Sequence, residues 1–200
     1  MRKSVGQYLG VSMQVAAWDG VAATVDLSCA CMFTRESRGD QPVGGLAHLD
    51  AALGGRLTRS RESRVFRATR GEILVIESPP AIVQAASVLV IGLGDPGAWS
   101  TDIMADAVAT AFTTAVVKRA TSVAFAPSML DGGLSGAQTS GAAEKMMQGL
   151  KQAIAKQCWL HDEGLAAESS VREWVFDVGA ERFEAAAVMF GEALKADEPA

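Results

Sequence analysis

Short apolar runs alternate along this chain with longer stretches whose apolar positions recur at helical spacing. Such alternation is typical of an α/β fold, in which buried strands of a parallel sheet appear as nearly continuous apolar runs. The pattern therefore predicts an α/β sandwich with a mixed, mostly parallel sheet. The predicted strands are 11–17, 28–34, 72–77, 87–93, 122–126 and 172–178. The predicted helices are 45–53, 101–119, 142–157 and 181–195.

The 200 residues show neither an internal repeat nor a linker that divides them, so we expect one domain with a polar tail at 196–200. Hydrophobic residues make up 49% of the chain and charged residues 20%, as in ordinary globular proteins. The formal net charge of −5 argues against a protein that coats nucleic acids or membranes through its overall charge.

Cysteine and histidine are too few and too scattered for the usual metal-binding spacings, since the chain has three cysteines and two histidines. We therefore expect no metal site and no cofactor. The first residues lack the uninterrupted apolar core of a signal peptide, and the charge-free run at 78–94 is broken by two prolines. We expect a cytoplasmic protein with no membrane span.

Four stretches with recognisable motifs follow one another along the chain. They are GGLAHLDAALGGRL at 44–57, the pair Gly71-Glu72 that opens a strand, VLVIGLGDP at 88–96 and SVAFAP at 122–127. In this order they resemble the N-terminal domain of the M17 leucyl aminopeptidases, and the likeness spans nearly the whole chain. The residues that match the family's Asp-x-x-Leu-Gly-Gly and Gly-Leu-Gly elements are Asp50, Leu53, Gly54, Gly55, Gly92, Leu93 and Gly94.

This resemblance implies a macro-like, three-layer α/β/α sandwich. In the M17 enzymes the metal ligands and the catalytic arginine belong to the C-terminal domain, so the resemblance implies a stand-alone N-terminal domain without catalytic or metal-binding residues. We therefore expect a non-catalytic binding or assembly module. Its expected partners are further copies of itself or a separately encoded aminopeptidase.

The stretch Gly92-x-Gly94-x-x-Gly97 follows a predicted strand and precedes a predicted helix. Its glycines, together with Asp95, have the spacing of a loop that cradles phosphate groups at a helix N-terminus. Pro96 removes one N–H donor, and the acidic residue expected about 20 positions later in a dinucleotide site is missing. A structural turn is the favoured interpretation, and a nucleotide site is the alternative.

A second glycine-rich loop precedes the helix predicted at 142–157. True macro domains bind the diphosphate of ADP-ribose with glycine-rich loops at helix N-termini, so this loop is a candidate for a nucleotide-like or ADP-ribose-like ligand. The alternative is a surface connection without a ligand. The candidate residues are Asp131, Gly132, Gly133, Ser135 and Gly136.

Half of the twelve arginines lie within 15 residues, where Glu62 is the only acidic residue. Such a segment is a candidate for binding an anionic partner, either a nucleic-acid backbone or an acidic protein face. The alternative, which we favour, is a solvated segment whose arginines pair with acidic residues elsewhere, including residues of another subunit. The arginines are Arg56, Arg59, Arg61, Arg64, Arg67 and Arg70.

Overall fold

A computed structural model describes residues 1–18, 20–36, 41–129 and 133–196. The described residues form five α-helices and one sheet of seven strands in the order β1-β2-β7-β6-β3-β5-β4. The strands are β1 (Arg2–Tyr8), β2 (Val11–Ala16), β3 (Leu27–Phe33), β4 (Ile73–Ile76), β5 (Ser87–Gly94), β6 (Ser122–Ala126) and β7 (Glu173–Asp177). The helices are α1 (Gly44–Ala52), α2 (Arg56–Glu62), α3 (Thr101–Lys118), α4 (Ala142–Asp162) and α5 (Phe183–Lys195).

Five neighbouring strands, β2, β7, β6, β3 and β5, run parallel, while β1 and β4 pair antiparallel at the two edges. This arrangement confirms the predicted mixed, mostly parallel sheet. The pairing of β2 with β7 joins distant parts of the chain, because residues 12–16 lie beside residues 173–177.

The two faces of the sheet are covered by separate hydrophobic cores. On β3, Cys29, Cys31 and Phe33 belong to the core formed with α3, α4 and α5. Ala30 and Met32 belong to the core formed with α1 and α2. Burial raises the pKa of both thiols, so they are protonated at neutral pH. Helices on both faces confirm the three-layer sandwich, and they explain why β3 is buried at every position.

The prediction of six strands and four helices misses two elements, β1 and α2. β1 is an edge strand whose residues are largely exposed, so it has no apolar signal. α2 buries only Leu57, so its sequence lacks an apolar stripe. In addition, α4 extends to Asp162, five residues beyond the predicted end, because the helix stop is Gly164 with a φ of 69°.

The Asp-x-x-Leu-Gly-Gly element has a structural role that the contacts of Asp50 explain. Gly54 and Gly55 have positive φ values of 67° and 76°, which turn the chain between α1 and α2. The buried Asp50 carboxylate then accepts the Leu57 N–H at 2.8 Å and the Thr58 hydroxyl at 2.5 Å. Asp50 therefore caps the first turn of α2.

Asp26 holds the amino ends of β3 and β6 together. Its carboxylate accepts the Thr121 hydroxyl at 2.6 Å, the Thr121 N–H at 2.7 Å and the Ser122 N–H at 3.1 Å. These hydrogen bonds, the Thr121 hydroxyl first, lower the pKa of Asp26 below its ordinary value of 3.8. The ionised carboxylate therefore stabilises the folded state.

Asp26→Ala is expected to lower the free energy of unfolding by about 2 kcal/mol at pH 7, because charge-assisted hydrogen bonds are lost. A carboxyl with a lowered folded-state pKa stabilises fully above its unfolded pKa and loses this effect as pH falls through the folded value. The difference between wild type and variant should therefore shrink below about pH 4. Urea unfolding from pH 7 to pH 2.5 measures it, and a pH-independent difference would contradict the assignment to the ionised carboxylate.

Candidate functional site

A cleft lies at the carboxyl edge of the sheet, between β3 and β6. From β3 the chain crosses one face through α1 and α2 and continues to β4 and β5. From β6 it crosses the other face through α4 and returns as β7. Because the two connections leave in opposite directions, the ends of β3 and β6 border an open crevice. Open α/β sheets bind their ligands at such a topological switch point.

The cleft has a volume of about 500 Å³ and a largely apolar lining. Leu46 and Leu49 of α1 form one wall, and Met146 of α4 with Met189 and Phe190 of α5 form the opposite side. Small-molecule sites typically have volumes of about 300–1,000 Å³ and combine apolar walls with a few polar groups. The space and the walls suit a ligand that contains a flat apolar ring.

Polar groups line the cleft along segment 136–143, which leads into α4. Thr139 and Ser140 are part of the lining. The N–H of Ala142 donates to the Thr139 carbonyl at 3.1 Å, whereas that of Ala143 has no acceptor among the described residues. First-turn N–H groups and the helix dipole favour an anion at this end of α4.

Asp177 and Arg182 are the charged side chains that line the cleft within the described residues. The carboxylate of Asp177 is buried and accepts the N–H groups of Trp18 at 2.9 Å and of Gly20 at 3.0 Å. These bonds hold the segment after β2 against the end of β7 and offset the negative charge of Asp177. Arg182 is exposed, so its guanidinium group is accessible to an anionic ligand.

The glycine motif begins within β5, at its carboxyl end, lies away from the cleft and packs against the segment that precedes β4. The N–H of Gly92 donates to the Glu72 carbonyl at 2.8 Å, and that of Gly94 donates to the Ala68 carbonyl at 3.0 Å. A Cβ atom on Gly92 would lie 2.1 Å from the Thr69 carbonyl oxygen. Gly92 is therefore required for a close approach of two main-chain segments.

The rest of the motif forms a capped turn. Asp95 accepts the Gly97 N–H at 2.8 Å and pairs with Arg35 at 3.1 Å. The Gly97 N–H and, after it, Arg35 lower the pKa of Asp95. The structure thus uses the N–H groups of Gly92, Gly94 and Gly97 within the protein, and their ligand-binding role remains a prediction.

The second glycine-rich loop contributes one of its predicted residues to the cleft. Gly136 is part of the lining. Gly133 is exposed with a φ of 82°, and Ser135 bonds through both its N–H and its hydroxyl to the Gln138 side chain at 2.9 Å. The other two predicted residues of this loop, Asp131 and Gly132, lie outside the described residues.

The six clustered arginines do not form one surface. Arg61 is largely buried: it donates to the Phe33 carbonyl at 2.7 Å and pairs with Glu36 at 3.1 Å. Arg70 pairs with Asp106 of α3 at 2.5 Å. Both arginines therefore contact acidic residues of the same chain, as the alternative interpretation of the segment anticipates.

The remaining four arginines are exposed. Arg56 and Arg59 donate to main-chain carbonyl oxygens at 3.3 and 2.7 Å. Arg64 and Arg67 lie beyond α2, on the segment that leads to β4. An anionic partner of this segment therefore stays a prediction for the exposed members of the cluster.

Sequence reasoning did not single out Asp177, Arg182 or Met189 as site residues. They come from the last strand and the last helix, which are distant in sequence from the glycine loops. The signal available was the position of Asp177 at the end of a predicted parallel strand, where side chains meet at the carboxyl edge.

The described residues contain no group of three or more His, Cys, Asp and Glu side chains that could hold a metal ion. Within them, no helix is both long enough and apolar enough to cross a membrane. The polar side chains of the described lining include those of Thr139, Ser140, Asp177 and Arg182.

Residues 32–157 match the cytosol aminopeptidase family, N-terminal domain. The motif stretches at 44–57, 88–96 and 122–127 fall within the matched segment, so the match confirms the resemblance drawn from them. Among curated proteins, none matches this chain.

Solved structures with the same fold include macrodomains and a plant aminopeptidase. An Oceanobacillus iheyensis macrodomain mutant with ADPR has 15% identity and a TM-score of 0.68, with 98% of each chain covered. A Trypanosoma brucei macrodomain with ADP has 14% identity and a TM-score of 0.64, covering 91% of this chain and 68% of that one. A tomato leucine aminopeptidase mutant has 18% identity and a TM-score of 0.68, covering 94% of this chain and 36% of that one. At these identities the likeness concerns the fold.

Proposed function

The chain belongs to the cytosol aminopeptidase family through its N-terminal domain, and on that basis we propose that it is a non-catalytic binding module with a macro-like fold. Its ligand is a nucleotide-like anion, such as ADP or ADP-ribose, held in the cleft between β3 and β6. The observation that carries this proposal is the position of the cleft, at the switch point of the sheet and beside the start of α4.

The two parts of such a ligand match the two parts of the cleft. A purine ring would pack between the leucines of α1 and the apolar side chains of α4 and α5. The phosphate groups would accept hydrogen bonds from the first N–H groups of α4 and from Ser140. Macrodomains of the same fold were solved with ADPR and with ADP, which supports this choice of ligand class.

The first experiment is a thermal-shift and calorimetric titration with ADP, ADP-ribose, AMP, adenosine and inorganic phosphate. A ligand that binds only the folded state raises its stability by about 2.7 kcal/mol at 100 times the Kd. We expect ADP or ADP-ribose to stabilise the protein more than adenosine or phosphate alone. A flat response to all five would contradict the ligand proposal, and metal-dependent peptide hydrolysis by the pure chain would contradict the non-catalytic role.

Ser140→Glu is expected to weaken binding of ADP or ADP-ribose at least tenfold, or about 1.4 kcal/mol. The added carboxylate would stand beside the phosphate groups, whereas a negative charge before a helix leaves the fold intact. Gln148→Glu is the matched control, because it adds the same charge at an exposed position of α4 that is not part of the lining. Calorimetry measures both variants, and equal effects would place the ligand elsewhere.

A further inference from the structure

The outer edge of β4 has main-chain groups that are available to another strand. β4 pairs with β5 on one side and is the last strand of the sheet within the described residues. Alternate residues of an antiparallel strand direct their main-chain groups toward the partner. The Gly92 N–H donates to the Glu72 carbonyl. Every second residue after Glu72, namely Leu74 and Ile76, therefore directs its main-chain groups toward β5. Ile73 and Val75 are the residues between them, so their N–H and C=O groups point away from β5, toward the outer edge.

A groove of about 430 Å³ lies between this edge and one face of α2. The strand side consists of Leu74, Val75 and Ile76, with Val65 beside them. Val65 is 72% exposed, which is unusual for a large aliphatic side chain. The helix side has the i, i+3, i+4, i+7 spacing of one helical face. Its residues are Arg56, Arg59, Ser60 and Ser63.

The two arginines of this groove, Arg56 and Arg59, have no carboxylate partner among the described residues. Their guanidinium groups donate to the carbonyl oxygens of Ser78 and Gly54 instead. Neutral carbonyl groups leave the positive charge of each guanidinium uncompensated. The groove therefore combines an aliphatic wall, an open strand edge and two positive charges.

We propose that this groove binds an extended acidic segment of a protein partner, which adds a strand to the outer edge of β4. The main chain of the segment would bond to Ile73 and Val75, and its carboxylates would contact Arg56 and Arg59. Such an interaction is separate from the cleft, because the two surfaces share no lining residue within the described part of the chain.

The charges of the groove favour this occupant over two others. A second copy of the chain paired through β4 would bring the same arginines toward each other. A nucleic acid would use the positive charges but would leave the outward N–H and C=O groups and the aliphatic wall without a matching partner. An acidic peptide strand satisfies all three features.

The test uses a fluorescein-labelled peptide with four alternating glutamate and valine pairs, titrated into the full chain. Fluorescence anisotropy should show saturable binding, and hydrogen exchange should slow at the amides of residues 73–76. The control probes are the same peptide with lysine for glutamate, one with proline at two central valines, and a single-stranded DNA 12-mer. Absent binding of the acidic peptide, equal binding of the proline peptide, stronger binding of the DNA, or self-association through β4 would each overturn the proposal.

Two variants locate the site. Arg56→Ala with Arg59→Ala should weaken peptide binding at least tenfold, while Arg67→Ala, the control for an exposed arginine outside the groove, should change it less than twofold. Val75→Pro should abolish binding without unfolding the domain, because the lost N–H points outward and edge strands tolerate proline there. Urea unfolding checks the fold of each variant. Full binding by Val75→Pro would refute strand addition, and the exchange data on the wild-type chain decide the question if this variant does not fold.

Discussion

Gly92→Ala is expected to destabilise the domain by about 3 kcal/mol, the upper range for an inserted methyl group that the structure cannot absorb. The new Cβ would lie 2.1 Å from the Thr69 carbonyl oxygen and 2.5 Å from the Ala68 carbonyl carbon. Both are main-chain atoms, so no side-chain rotation relieves the clash. The segment before β4 would have to move, and the hydrogen bond between Gly92 and the Glu72 carbonyl would be strained or lost. Urea unfolding with a constant m-value would measure the effect.

Gly97→Ala is the matched control within the same motif. Its Cβ would come no closer than 3.2 Å to the Asp95 side chain, which has room to adjust. The expected change in the free energy of unfolding is below about 1 kcal/mol. If the two variants were equally stable but both failed to bind a nucleotide, the motif would be a phosphate-binding loop and its assignment as a structural turn would be wrong.

Arg61→Ala is expected to lower the free energy of unfolding by about 3 kcal/mol, because the variant loses a buried ion pair. The Glu36 side chain is 1% exposed and that of Arg61 is 10% exposed, and the two lie 3.1 Å apart. Arg61 also donates to the Phe33 carbonyl at the end of β3, so the variant loses two hydrogen bonds at once. Chemical unfolding gives the magnitude.

Two further variants separate the ion pair from general effects of charge removal. Arg67→Ala removes an exposed arginine from the same segment and should stay within about 0.5 kcal/mol of wild type. The double variant Arg61→Ala with Glu36→Ala should be more stable than Arg61→Ala alone, since the buried carboxylate is removed together with the arginine that pairs with it. A double variant that is less stable than the single one would show that Glu36 contributes through contacts other than Arg61.

The parts of the fold that the sequence predicted well are those buried on both sides. β3 and β5 pack against helices on both faces of the sheet, so nearly every position is buried and most are apolar. β1 lies at an edge, where its polar side chains meet solvent and only pairing with β2 defines it as a strand. Local pattern therefore predicts strands through burial and misses those that depend on pairing alone.

The candidate site was less predictable, because its residues come from separate parts of the chain. A glycine spacing is a local signal, and it cannot distinguish a loop that approaches a phosphate from one that approaches another main-chain segment. At Gly92 the main chain lies close to the main chain of Ala68 and Thr69, another segment of the protein. The residues of the cleft, Trp18 and Asp177 among them, are brought together only by the order of strands in the sheet.

The pairing of β2 with β7 has a consequence for how the protein is made. β2 is synthesised well before β7, its parallel neighbour, which is the last strand of the described residues. During translation, about 160 further residues are synthesised before the apolar residues Val11, Met13 and Val15 can be buried in a completed half of the sheet. Contacts this distant in sequence slow folding, and an unsatisfied strand edge is prone to aggregation. The half of the sheet formed by β1, β2 and β7 should therefore close last, only after β7 has emerged from the ribosome.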